Sequence, residues 1–109
     1  MALSESLRGH LDTVLLAGLR EGPLHGYALA RRVAARSGGV FELGEGALYA
    51  ALHRLERAGL VSSRWEREAG RKRRVYELTR AGAATLDERR REWAALAGGM
   101  QAMLEPGSA

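Results

Sequence analysis

The first sixty residues carry apolar positions three or four apart, the spacing of one face of an α-helix. Gly22-Pro23 and Ser37-Gly38-Gly39 interrupt this pattern, and Gly59 follows its last apolar position. The pattern therefore predicts three helices, over about residues 9–21, 26–36 and 46–58. The third helix buries a face of Leu48, Leu52 and Leu55. Its opposite face carries Tyr49, His53, Arg54 and Arg57.

Residues 61–79 change to the two-residue alternation of β-strands, with Val61, Ser63 and Trp65 in one half and Arg74, Tyr76 and Leu78 in the other. A two-residue type II′ turn at Gly70-Arg71 sets the expected register. It places Trp65 opposite Tyr76, with both rings facing the core, and Arg67 opposite Arg74. Three successive cations then lie at the hairpin tip: Arg71, Lys72 and Arg73. Because they repel one another, an anionic partner would explain their presence there.

A long last helix is predicted after the hairpin, with Thr79 as its N-cap. Along it, two interleaved sets of residues each repeat every seven positions, as in helices that pack on one another. Gly98-Gly99 leaves a kink or an early end open. A helix that extends past a small core with an apolar stripe needs a partner, and a second copy of the chain is the simplest one. The residues expected at this homodimer interface are Leu86, Trp93, Ala97, Met100 and Leu104.

The order of these elements predicts a mostly α (α+β) fold. It is a winged helix-turn-helix of three helices, a two-stranded wing and a long C-terminal dimerisation helix. The expected divisions are a DNA-binding domain over 1–79, the dimerisation helix over 80–105 and a disordered tail over 106–109. The third helix would enter a major groove, and the wing would lie along the backbone or reach into the adjacent minor groove.

Composition removes several classes of function. A compact chain of 109 residues has a radius of gyration of about 13 Å, so a deep catalytic cleft is not expected. Cysteine is absent, and the three histidines fall on three different predicted elements, so we expect no metal or other cofactor. No nucleophile–base arrangement suggests an enzyme. We find no membrane-spanning run and no secretory leader, and we expect a cytoplasmic protein.

The basic residues are concentrated in one segment. Residues 61–80 contain seven basic and three acidic residues, an excess equal to the whole formal net charge of +4. All basic residues but Lys72 are arginine, whose planar fork bonds two oxygens at once. We therefore expect DNA contacts from Tyr49, His53, Arg54 and Arg57 on the third helix and from Arg71, Lys72, Arg73 and Arg74 on the wing. Two alternatives stay open: Tyr49 packing under the wing, and Arg54 pairing with Glu45 or Glu56.

Three sequence blocks resemble PadR-type transcriptional regulators, at residues 22–29, 45–61 and 70–82. The resemblance implies a dimeric winged-helix repressor on a palindromic operator in double-stranded DNA, released in some members by a small aromatic or cationic ligand. Trp93 and Arg90 would line such a ligand site, with packing at the dimer interface as the alternative for Trp93. Ala47 stands where the family commonly has threonine, so the operator sequence does not carry over. The short last helix resembles the small subfamily.

A second function remains open beside DNA binding. The winged fold also serves as a protein-interaction module that binds no DNA. In that case the wing cations would meet an acidic protein surface.

Overall fold

The computed structural model describes residues 2–107, with side chains from residue 10 onward. Within that range the elements are α1 (Ala2–Gly18), β1 (Leu24–His25), α2 (Gly26–Arg36), α3 (Glu45–Arg57), β2 (Val61–Glu68), β3 (Arg71–Leu78) and α4 (Arg80–Leu104). This is the predicted winged helix-turn-helix. The bounds of α2 agree with the sequence, α3 is displaced by one residue, and α4 ends one residue before the predicted position 105. Helix α1 begins earlier than residue 9 and ends earlier than residue 21.

The hydrophobic core lies where α1, α2 and α3 meet the base of the sheet. It contains the predicted apolar faces of all three helices, because a stripe repeating every three or four residues packs on its neighbours along its whole length. The wing and α4 each add residues to the same cluster. Its main members are Leu11, Leu15, Leu16, Leu19, Leu29, Val33, Leu48, Leu52, Leu55, Val61, Tyr76 and Leu86.

The sheet has three strands and not two, in the order β1-β3-β2. The added strand is only two residues long, and it pairs antiparallel with β3 through Leu24↔Tyr76 and His25↔Val75. Two residues directly after Pro23 are too few to show an alternation, so the sequence pattern did not contain this strand. Strand β1 ties the start of α2 to the wing, and β3 becomes the central strand.

The hairpin turn lies one residue earlier than expected. Its two central residues are Ala69 and Gly70, with φ of 52° and 78°. Positive φ at both positions identifies a type I′ turn, whose twist matches that of the flanking strands. The register is therefore Trp65↔Arg74 and Arg67↔Lys72. The expected pairing of Trp65 with Tyr76 is wrong, and Trp65 does not reach the core, because 59% of its surface is exposed.

Helix α4 is continuous through Gly98 and Gly99. Thr79 caps it as predicted: its Oγ1 accepts from the Gly82 N–H at 3.0 Å and donates to the Gly59 carbonyl at 2.7 Å. Twenty-five residues of helix span about 37 Å, so α4 extends well past the core. The molecule measures 64 × 28 × 21 Å, and its radius of gyration of 16.0 Å exceeds that expected for a compact chain.

Two expectations concern the C-terminal tail and the absence of a membrane-spanning helix. The predicted tail, 106–109, lies partly outside the described residues, which end at 107. Among the described helices, none has the length and apolarity needed to cross a membrane.

Candidate nucleic-acid interface and ligand groove

Helix α3 presents a polar face to the outside. Its buried residues, Leu48, Ala51, Leu52 and Leu55, lie on one side. At 100° per residue, His53 and Arg57 lie near the centre of the opposite side, and both are exposed. In the described part of the chain, the α3 side chains in ion pairs are Arg54 and Glu56. His53 and Arg57 are therefore free to contact an outside partner.

One flank of α3 faces the wing and the start of α2. Glu56 accepts a hydrogen bond of 2.6 Å from the Ser63 hydroxyl and lies 3.8 Å from the Arg74 guanidinium. About two turns earlier, the Tyr49 ring lies so close to Gly26 that a Cβ there would be 2.5 Å from the Tyr49 hydroxyl. The ring thus packs on the first residue of α2, and, besides burial, Tyr49 is among the groups that raise the pKa of Tyr76 on the wing. Tyr49 remains 40% exposed, so a phosphate contact by its hydroxyl stays a prediction.

The other flank of α3 is tied to α1. Arg54 pairs with Asp12 at 2.5 Å, and this partner is neither of the two acids, Glu45 and Glu56, that the sequence suggested. The Arg54 side chain is more than half exposed, so the pair contributes at most about 1 kcal/mol to stability. A DNA phosphate would compete with Asp12 for the same guanidinium.

The four predicted wing cations divide into two groups. Arg71 and Lys72 are exposed at the tip. Arg73 lies 3.0 Å from His25 Nε2, and Arg74 donates to the Ser63 hydroxyl at 2.9 Å. The first contact holds Arg73 against the start of α2. The second holds Arg74 against β2, where its guanidinium also lies 3.8 Å from Glu56 of α3.

His25 links the wing to helix α2. Its Nδ1 accepts from the Ala28 N–H at 3.3 Å and caps α2, while its Nε2 faces Arg73. A neutral imidazole accepts at one nitrogen only, so the cap and the Arg73 contact are alternatives. In either arrangement, His25 links strand β3 of the wing to the start of α2.

Two pKa shifts mark the environment of the wing. Burial raises the pKa of Tyr76 above its ordinary value, against the opposing effect of Arg74. On the other side of the sheet, the hydrogen bond to Glu66, together with Glu77, raises the pKa of Arg64. Arg64 is thus paired with two carboxylates of its own chain.

A groove of about 620 Å³ lies between α1 and α4. Trp93 lines it and meets His10 edge to face, with ring centroids 5.2 Å apart. Arg89, not Arg90, is the arginine of the groove, and it donates to Thr13 at 3.2 Å. Arg90 instead pairs with Asp87 at 3.6 Å on the surface. Asp12, Glu92, Phe41 and Leu96 also line the groove.

The predicted dimer residues do not share one environment. Leu86 is 2% exposed and belongs to the core of its own chain, so its assignment to a dimer interface is corrected. Ala97 is half-buried. Trp93, Met100 and Leu104 are exposed. Leu96 and Met103 are exposed too and are seven residues apart, although neither belongs to the predicted heptad rows.

Among residues 10–107, whose side chains the structure describes, no group of three histidine, aspartate or glutamate side chains is placed to hold a metal ion. The sequence also missed Arg67, which stands opposite Lys72 on the wing, and Asp12, the partner of Arg54.

Comparisons with known proteins agree on one family. The family model described as transcriptional regulator PadR-like family matches residues 15–88. A transcriptional regulator of Mycobacterium tuberculosis is 42% identical over 89 residues, which cover 82% of this chain and 80% of the relative. The crystal structure of a PadR family transcriptional regulator from Eggerthella lenta has a TM-score of 0.81 at 32% identity and covers 97% of this chain and 91% of that one.

A further structure shares the fold at lower similarity. Bacillus subtilis PadR, crystallised in complex with operator DNA, has a TM-score of 0.66 at 24% identity. The match covers 72% of this chain and 45% of that chain.

Proposed function

Because the chain belongs to the PadR-like family of transcriptional regulators, we propose that it binds double-stranded DNA sequence-specifically and represses transcription. The family and its structural neighbours are transcriptional regulators and not enzymes. In the proposal, α3 enters a major groove with His53 and Arg57 toward the bases, and the wing meets the neighbouring backbone.

The observation that carries the proposal is the position of α3 beside the wing. The helix turns an exposed face with His53 and Arg57 outward, and Glu56 on its flank contacts Ser63 and Arg74 of the wing. The helix proposed to contact the bases and a cationic strand pair are therefore held side by side. The operator complex of Bacillus subtilis PadR supports DNA as the partner of this fold.

Fluorescence anisotropy with the protein's own promoter fragment and with a random duplex tests the proposal. We expect tighter binding to the promoter fragment, and Arg57→Ala should lose about 5- to 150-fold of that preference per half-site, which corresponds to about 1–3 kcal/mol for one base contact. Arg90→Ala removes the same charge from α4 and should leave the preference unchanged. Equal loss on both duplexes would make Arg57 a backbone contact. No preference at physiological salt would overturn the proposal and favour the protein-interaction module.

We further propose that two copies pair through α4 and bind a palindromic operator. Support comes from the exposed apolar face of α4, which carries Trp93, Leu96, Met100, Met103 and Leu104. Twofold symmetry would place two half-sites about 34 Å apart. Leu96→Asp should give a monomer in sedimentation equilibrium, whereas Ala95→Asp, about 130° around the helix from the centre of that face, should stay dimeric. A wild-type monomer at micromolar concentration would contradict pairing.

Release from DNA by a small planar ligand is the last part of the proposal. The groove combines the rings of Trp93 and Phe41 with the carboxylates of Asp12 and Glu92, a set suited to an aromatic cation. Packing at the dimer interface remains the alternative role of Trp93. Methylene blue, a planar cation, should saturably quench Trp93 emission in a Trp65→Phe background, more weakly after Glu92→Gln. Quenching without saturation would reject the site.

A further inference from the structure

The two faces of the wing differ in charge. Residues paired across antiparallel strands project to the same face, and the face alternates along each strand. We call the face that contacts α3 the α3-side face; it consists of Val61, Ser63, Trp65, Arg67, Lys72, Arg74, Tyr76 and Leu78. The outer face consists of Ser62, Arg64, Glu66, Glu68, Arg71, Arg73, Val75 and Glu77. The α3-side face has three cations and no carboxylate, whereas the outer face has three of each.

Trp65 lies in the middle of the α3-side face. It is 59% exposed, although tryptophan is a large apolar residue whose burial is strongly favourable. The Arg74 guanidinium lies over its ring, 5.2 Å from the centroid. Arg74 is in turn fixed by Ser63 and Glu56. The indole is therefore supported from its own chain on one side and open to solvent on the other.

The position of Trp65 places it between the two proposed DNA contacts. Ser63 contacts Glu56 at the flank of α3. At about 3.3 Å per strand residue, Trp65 lies about 7 Å beyond Ser63 and Arg67 about 13 Å beyond it. A duplex that contacts both α3 and the Arg67–Lys72 pair must therefore pass over the indole.

We propose that Trp65 is a DNA-contacting residue that packs its indole against the sugar–phosphate backbone of the bound duplex. Deoxyribose presents apolar surface to the ring, and the indole N–H can donate to a phosphate oxygen. Charge complementarity identifies the partner, because the cations around Trp65 on this face suit a polyanion and would repel a second basic wing. The inference rests on the DNA binding proposed above, and it adds a neutral contact to the charged ones.

Fluorine NMR of protein labelled with 5-fluorotryptophan observes the contact directly. The chain has two tryptophans, and Trp65→Phe assigns the two resonances. On addition of promoter duplex, the Trp65 resonance should shift and lose its solvent-isotope effect, while the Trp93 resonance gives the internal comparison. A Trp65 resonance that keeps its full solvent-isotope effect in the saturated complex would overturn the proposal.

Affinity measurements separate a neutral contact from a charged one. Trp65→Ala should weaken binding about tenfold per wing, equally on promoter and random duplex, and Trp65→Phe should retain most of the affinity. The slope of log affinity against log salt should stay unchanged, because a neutral side chain releases no counterions. A smaller slope in Trp65→Ala would mean that the indole only positions Arg74 on a phosphate, and it would overturn the neutral contact.

The two proposals fail in different ways. No anisotropy change with any duplex would reject DNA binding and the Trp65 contact with it. Tight binding with unaltered affinity in Trp65→Ala would reject the Trp65 contact alone. Loss of the Trp65 solvent-isotope effect on raising protein concentration without DNA would show a protein interface on this face and would also reject the contact.

Discussion

Replacing Arg67 with alanine tests whether the α3-side face of the wing lies against DNA. Arg67 is exposed, stands opposite Lys72 and belongs to the face without carboxylates. Arg64 is the matched control. It is an exposed arginine on the same strand, three residues away and on the outer face, where Glu66 and Glu77 pair with it. Arg64→Ala and Arg67→Ala remove the same charge from the same hairpin.

The expected change in the salt dependence of binding follows from counterion release. Each phosphate neutralised on B-DNA contributes about −0.9 to the slope of log affinity against log salt. If Arg67 binds one phosphate and two wings engage the operator, Arg67→Ala should flatten the slope by about 1.8. Between 50 and 200 mM salt, this difference means that the wild-type protein loses about tenfold more affinity than the variant. Arg64→Ala should leave the slope within about half a unit of the wild type, because Arg64 binds no phosphate in this arrangement.

The assay is fluorescence anisotropy of a labelled promoter duplex, repeated at four or more potassium chloride concentrations with all three proteins. Circular dichroism spectra check that both variants keep the wild-type fold. Equal slopes for wild type and Arg67→Ala would refute the contact. Equal flattening in both variants would show that only net charge matters, and the orientation of the wing argued from its register would then be wrong.

Two predictions concern stability and are measured by urea unfolding. Gly82→Ala would place a Cβ 2.0 Å from the Leu60 carbonyl oxygen and should cost about 1–3 kcal/mol through overpacking. Gly98→Ala, in open space on the same helix, should instead stabilise by up to about 1 kcal/mol; similar effects at both sites would contradict the close packing. Burial raises the pKa of Tyr76, so the unfolded chain ionises first as pH rises. The contribution of Tyr76 is therefore complete below pH 10 and is lost as pH passes its folded pKa. Tyr76→Phe should lose less stability than the wild type above pH 10, and an equal loss in both would contradict the shift.

The helices could be predicted from the sequence because the pattern that identifies a helix depends only on neighbouring residues. Leu48, Leu52 and Leu55 are neighbours on one face whatever surrounds them, and all three are buried. The N-cap at Thr79 is equally local, since its hydroxyl bonds the Gly82 N–H three residues on. Such features depend on the spacing of a few adjacent residues. The order of helices, hairpin and long helix then leaves few ways to build a layered core.

Contacts between segments far apart in the chain could not be predicted from the sequence pattern. Arg54 had two acids on its own helix, yet it pairs with Asp12, which is 42 residues away. Strand β1 forms only because β3 offers an edge to two residues after Pro23. The hairpin turn required Ala69 to adopt a positive φ, a conformation that non-glycine residues rarely take. In each case the deciding interaction lies outside the window in which a pattern can be read.

The alternation of residues along β2 predicts which face of the sheet Trp65 occupies, but it does not predict whether Trp65 is buried. The two-residue period assigned Trp65 to the face that carries Tyr76, and this remains true in the observed register, because moving a hairpin turn by one residue changes partners by two and preserves the face. Burial is a different property, since it depends on what covers that face. The flank of α3 meets the sheet at Ser63 and Arg74, so Tyr76 is covered and Trp65, farther toward the tip, is not. This uncovered apolar position is the one proposed above to contact a partner. That is why the exposed indole, together with the cations beyond it, indicates where a duplex meets the protein.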